Sequence, residues 1–232
     1  LAGYAALKIA GVRYGAAFVG VFGGLASSTA TTLLYARQAR ELPAAGAMAA
    51  LVLVIANLVM VLRVWGIAAV VAPGVAAPLL KLIVPALVLG TLGALWLWRR
   101  LAERHEPVLP ATGHPTALKT ALGFGAAYAL VLLAAAWLSD YAGNRGLYVL
   151  AFVSGLTDVD AITLSSLRLS ALARLELVAT VTALGIAMLA NLCFKLGLAS
   201  VSGGRALALR AAAGMASVAL GLLAGLAWVG LG

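Results

Sequence analysis

The chain has 232 residues, of which 64% are hydrophobic and only 10% charged, with a formal net charge of +9. Such a composition lies outside the range of soluble domains and excludes a sizeable water-soluble unit. The basic excess, which in a soluble chain would raise nucleic-acid binding, sits mostly at the ends of apolar runs and has no interleaved aromatic stripe, so it serves topology and lipid headgroups rather than nucleic acid.

Apolar runs long enough to cross a bilayer as helices recur along the chain, and their continuity rules out the alternating pattern of a β-barrel. Eight spans are expected, at about 1–10, 15–37, 43–64, 78–98, 117–138, 146–168, 175–199 and 206–229. The first is short and follows no signal-peptide pattern, so residues before Leu1 are expected. A polar connector, 99–115, separates the first membrane unit (1–98) from the second (116–232). The fold expected is therefore an all-α polytopic membrane protein of two repeated four-helix halves.

The repeat is carried by a fourteen-residue phrase. Residues 24–37 read GLASSTATTLLYAR and residues 155–168 read GLTDVDAITLSSLR, 131 residues apart with six identities. In the next span of each half an Ala-Asn-Leu triplet recurs, around Asn57 and Asn191. Four spans per half favour a parallel repeat, since an inverted one needs an odd count. The stretch 65–77 is the place where a re-entrant segment would change that count.

Both phrases begin near mid-span, and the second carries Asp158 and Asp160 where the first has Ser27 and Thr29. An ionised Asp at the bilayer centre costs on the order of 3 kcal/mol, so such residues are functional candidates. Gly24 and Gly155, each followed by small polar residues, are expected to break the helices of spans 2 and 6 and to restart them. Unwinding would turn both acids toward one ligand and free backbone oxygens. The candidate ion or substrate site comprises Asp158, Asp160, Thr157, Thr163, Ser27, Thr29, Thr32, Asn57 and Asn191. Hard cations favour such oxygens, with Asp158 and Asp160 as the metal ligands; Mg²⁺, Na⁺ and H⁺ all fit, and apart from a bound cation no cofactor is implied. Competing structural roles are a helix cap for Asp158, an ion pair of Asp160 with Lys195 or Arg63, and interhelical hydrogen bonds for the two asparagines.

Other features carry less. The GxxxG spacings at 20–24 and 221–225 permit close helix packing, within the bundle or in a homo-oligomer. Cys193, the one cysteine, is expected in the core. His105, His114, Glu103 and Glu106 lie in the connector without metal-ligand spacing. Arg37 and Arg168, which close the two phrases, are expected as interface anchors. Charge counting groups Arg37, Arg40, Arg99, Arg100, Arg104, Lys119, Arg168 and Arg174 on one side and Arg13, Arg145, Arg205 and Arg210 on the other, which places the connector in the cytoplasm of a cell inner (plasma) membrane. No nucleophile–base pair, P-loop or dinucleotide turn is present, so an enzyme is not expected.

The segments GLASSTATTLLYARQARE and SGLTDVDAITLS, with the following ANL triplets, resemble the uncharacterised C-terminal membrane domain of MgtC/SapB-type proteins. The resemblance implies an MgtC-like membrane domain as a partner and, by association only, a link to magnesium homeostasis. The leading functional expectation is a cation transporter or channel. The alternatives are an anion or small-solute transporter coupled to protons, and a non-transporting membrane partner or regulator.

Overall fold

The computed structural model describes residues 2–102 and 143–231. Seven α-helices occupy them: α1 (Ala2–Glu41), α2 (Gly46–Val71), α3 (Pro73–Ala102), α4 (Gly143–Thr157), α5 (Asp160–Ala171), α6 (Leu177–Gly203) and α7 (Arg205–Leu231). Five of these are long and apolar enough to cross a membrane, and α4 is a shorter apolar helix. Large apolar side chains such as Phe22, Leu92, Phe152, Leu220 and Trp228 are exposed around the bundle, as lipid rather than water would allow. The protein is an all-helical, polytopic membrane protein. Of the expected connector, residues 99–102 continue α3; its remainder, including His105, Glu106 and His114, and expected span 5 lie outside the described residues.

Glycine contacts fix the direction of each helix. Gly90 of α3 meets Leu58 of α2, and the Trp65 indole donates to the Ala76 carbonyl at 3.2 Å, so α2 and α3 are antiparallel. Gly46 lies against Arg210, and Gly214 against Val54, so α7 runs parallel to α2. Gly185 meets Leu226 while Gly203 meets Leu207, so α6 is antiparallel to α7. The bundle thus has a Gly46 end and a Val71 end. The stretch 65–77 contains no re-entrant segment: it is the end of α2, a single-residue turn at Ala72 and the start of α3.

The re-entrant element is α1 instead. A straight helix would hold residues eight apart about 12 Å from each other along the axis. Yet a methyl group on Gly23 would lie 2.6 Å from Thr31 Oγ1. The first arm rises from the Gly46 end, with Tyr14 stacked edge-on against Trp98 (5.4 Å between centroids), Gly20 on Ile55 and Gly24 on Ala56. The second arm returns to that end: Ser28 meets Lys195, Ala36 meets Gly203, and Arg40 donates to the Val201 carbonyl at 3.0 Å. So α1 is a helical hairpin whose tip, around residues 24–27, stops inside the bundle. Expected spans 1 and 2 are therefore not two crossings; α1 is helical through residue 13 and doubles back later.

Gly24 and Gly155 do not break helices by conformational freedom. Each is a contact point: added methyl groups would strike the backbone of Ala56 and of Ala187 respectively. The second break falls at residues 158–159, three positions beyond Gly155. Both GxxxG pairs are likewise used within the chain. Gly221 and Gly225 lie on the backbone of α3 at Pro85–Ala86 and Lys81–Leu82. Pro85 has no N–H, which leaves the Lys81 carbonyl without its helical donor where Gly225 packs. These glycines thus serve the first of the two uses the spacing permits, packing within the bundle. Cys193 is exposed rather than buried, because a continuous apolar run in lipid includes outward positions.

Arg168 and Arg174 do not share an end with Arg37 and Arg40. The loop Ser170–Leu177 adjoins Val71–Val75, at the Val71 end. Single cysteines at Leu42 and Leu172, both exposed turn residues, placed in a Cys193→Ser background are expected to react with an impermeant thiol reagent from opposite sides of the membrane. Labelling from one side would contradict this chain path. Gly221→Val is expected to separate α3 from α7 and cost about 1–3 kcal/mol, read as a lower melting temperature in detergent.

Candidate functional site

The tip of α1 and the α4–α5 break meet at a polar cavity of about 280 Å³. Its walls are Ser27, Ser28 and Thr29 from the first phrase, Thr157, Asp158 and Asp160 from the second, Arg63 and Met60 from α2, and Asn191 from α6. At about 30 Å³ per water, it holds roughly nine waters' volume, the size of a hydrated ion or small solute.

Each broken helix is capped by the residue its phrase places there. Ser27 Oγ accepts from the Ala30 N–H at 3.2 Å, three residues on, as a helix N-cap does. Asp158, the matching residue, accepts at Oδ1 from the Asp160 N–H at 3.0 Å. On the other side of the second break, the Asn191 amide donates to the Gly155 carbonyl at 2.8 Å, and the Thr157 hydroxyl donates to the Ser154 carbonyl at 3.2 Å. The bonds to the Ala30 and Asp160 N–H groups and to the Gly155 carbonyl satisfy backbone groups that a helix end leaves open and that lipid cannot solvate, while the Ser154 carbonyl also accepts from the Asp158 N–H at 2.9 Å.

Two basic side chains reach the site, and one of them meets an acid. Arg63 Nη2 donates to both oxygens of Asp160, at 2.9 and 2.7 Å, while Nη1 donates to the carbonyls of Leu25 (3.0 Å) and Gly24 (3.4 Å). One guanidinium therefore ties the tip of α1 to the start of α5. Lys195 is fully buried. Its ammonium donates to Ser28 Oγ at 2.7 Å and Asn57 Oδ1 at 2.9 Å.

Of the nine expected site residues, Asp158, Asp160, Thr157, Ser27, Thr29 and Asn191 line the cavity. Asn57 is buried behind it, its oxygen taken by Lys195 and its amide by its own helix at Leu53. Thr32 donates to the Ser28 carbonyl and braces the second arm. Thr163 is buried, does not line the cavity, and its hydroxyl has no protein partner. Sequence reasoning placed Arg63 and Lys195 only as rival partners for Asp160, and it passed over Ser28. The available signal was a lone Arg inside an otherwise apolar span. The Asp160 carboxylate is engaged by Arg63, and among the described residues no cluster of three or more His, Cys, Asp or Glu exists.

Residues 1–203 match a family described as a domain of unknown function, DUF4010. The chain belongs to this family. An Aquifex aeolicus (strain VF5) protein, described as an uncharacterized protein, is 31% identical over 192 residues, covering 82% of this chain and 83% of that one. Neither match brings in an MgtC/SapB-type protein, so that resemblance is supported only as far as the uncharacterised domain itself. No solved structure matches.

Neutralising one member of the Arg63–Asp160 pair strands the other. Arg63→Gln and Asp160→Asn are each expected to cost about 1–3 kcal/mol, below the 3–5 of a fully buried pair because this one opens on the cavity. The double variant is expected to cost less than the sum, in thermal unfolding of detergent-purified protein. Additive losses would show that the two side chains are not coupled.

Proposed function

We propose that this DUF4010 protein is a transporter that binds a small solute in the cavity between two helical-hairpin tips. The observation that carries this reading is the convergence of two interrupted helices on one charged, polar cavity deep in an apolar bundle. Broken helices are tolerated at membrane depth where they line such a cavity, and they are a recurrent way to build transport sites.

The duplication supports it. Gly24 packs on Ala56 and Gly155 on Ala187, the same 32-residue spacing in each half. We read α4 and α5 as the counterpart of the α1 hairpin, and α6 and α7 as the counterparts of α2 and α3. The returning arms lead to opposite ends of the bundle, and α2 and α6 run in opposite directions. On helix direction, not on the number of spans, the two units read as inverted repeats of a hairpin and two crossings. Inverted repeats provide two similar half-structures that open in turn to either side. Arg37, Arg40, Arg99, Arg100, Arg205 and Arg210 cluster toward the Gly46 end against Arg168 and Arg174 at the other, so the Gly46 end is the cytoplasmic one.

The cavity offers both signs of charge: Arg63 beside Asp160, Asp158 capping α5, and hydroxyls from the first tip. With two carboxylates and one guanidinium on its wall, the cavity favours a zwitterionic small solute over an anion or a bare divalent cation. The cation reading keeps one specific support, the Asp158 carboxylate on the cavity wall. The resemblance to MgtC/SapB-type proteins keeps Mg²⁺ among the candidates.

Proteoliposomes offered small inorganic and organic anions, amino acids, Mg²⁺ and Na⁺, with and without a pH gradient, test the proposal. Uptake of one class is expected, falling by about tenfold or more in Arg63→Gln and in the Asp158→Asn/Asp160→Asn pair, as loss of a charge-assisted contact would give. Flux unchanged in both variants would remove the site. Uptake of Mg²⁺ or Na⁺ alone would select the cation reading. No flux at all, with a tightly co-purifying membrane protein, would select a regulatory partner.

A further inference from the structure

Lys195 is the largest fully buried side chain described that carries a charge, and the solute cavity does not include it. Its ammonium sits where three elements meet. Ser28 comes from the returning arm of the α1 hairpin, Asn57 from α2, and the lysine itself from α6. Both named acceptors are neutral oxygens. The charged groups that act on it are Arg63 from α2, which repels it, and Asp160 and Asp158 from the α4–α5 break, which attract it. An ammonium held by neutral oxygens has the donor set of a monovalent-cation site. Here the occupant is covalently attached.

We propose that Lys195 is a tethered cation that fills a built-in monovalent-cation site and, by holding Ser28, latches the tip of the α1 hairpin over the solute cavity. The inference rests on the hairpin tips being the transport site, but it is read without any solute. Three consequences are specific to a tethered ion. Removing the whole side chain releases the latch. It also leaves a vacant space lined by Ser28 Oγ and Asn57 Oδ1, the right size and polarity for a small free ammonium. A side chain that fills the space without the charge releases the latch and cannot be rescued.

The test uses the full chain in lipid nanodiscs with Cys193→Ser and a reporter cysteine at Thr29, which lines the cavity beside the latch. The rate of reaction with a charged thiol reagent measures opening of the tip. Lys195→Ala is expected to raise that rate by about tenfold, the equivalent of one charge-assisted hydrogen bond. Methylammonium is expected to return the Lys195→Ala rate toward the parent, and to raise its melting temperature, while leaving Lys195→Met unaffected. Ser28→Ala, which keeps the ammonium and removes its hold on the tip, is expected to raise the rate as well. An unchanged rate in Lys195→Ala overturns the latch. A raised rate that methylammonium does not reverse overturns the cation site. Should Lys195→Ala not fold, an unchanged rate in Ser28→Ala overturns the proposal by itself. If the latch and rescue are seen but no solute is carried, it is the transport reading that fails.

Discussion

Arg63 is the side chain on which the interior depends. Lipid cannot hydrogen-bond to the ends of a broken helix, so the ends must be satisfied from within. Nη1 of the guanidinium donates to the Gly24 and Leu25 carbonyls where α1 turns, and Nη2 donates to Asp160 where α5 begins. Lysine could not replace it, because a single point charge cannot serve carbonyls on one side and a carboxylate on the other in a fixed plane. The cost of two interrupted helices and of a carboxylate at depth is met largely by this group.

Around that clamp the packing is backbone against backbone. Gly24 on Ala56, Gly155 on Ala187, and Gly221 and Gly225 on α3 let helices approach where larger residues would hold them apart. In a membrane the hydrophobic effect does not draw one helix to another, so close van der Waals contact and internal hydrogen bonds must do so. Small residues at contact points and large ones facing outward follow directly. This is why Phe22, Phe152 and Trp228 are exposed while Ala56 and Ala187 are fully buried.

The membrane class, the repeated phrase and most of the cavity wall were legible in the sequence, because charge and hydroxyl groups at mid-span are costly enough to be noticed. Direction was not legible. Hydropathy measures how long an apolar segment is, and α1 is long enough to cross; whether it turns back is decided by the contact of Gly23 with Thr31, eight residues on. That one reversal moves Arg168 and Arg174 to the end opposite Arg37 and Arg40, and it is what turns the proposed relation between the halves from parallel to inverted. Lipid-facing and core positions are equally apolar, which is why Cys193 was misplaced. Which cation pairs with Asp160 was left open between Lys195 and Arg63, because the partner lies far off in sequence: Arg63 is 97 residues from Asp160.

The four ionisable groups around the cavity also bear on how the membrane voltage acts. Each elementary charge carried through the full potential is worth about 2.3 kcal/mol per 100 mV. Asp158, Asp160, Arg63 and Lys195 carry formal charges that cancel. A rearrangement that moves them together through the field is therefore nearly indifferent to voltage. In a carrier of the proposed kind, any current would then report the charge of the solute, and the return of the empty protein would be electrically silent.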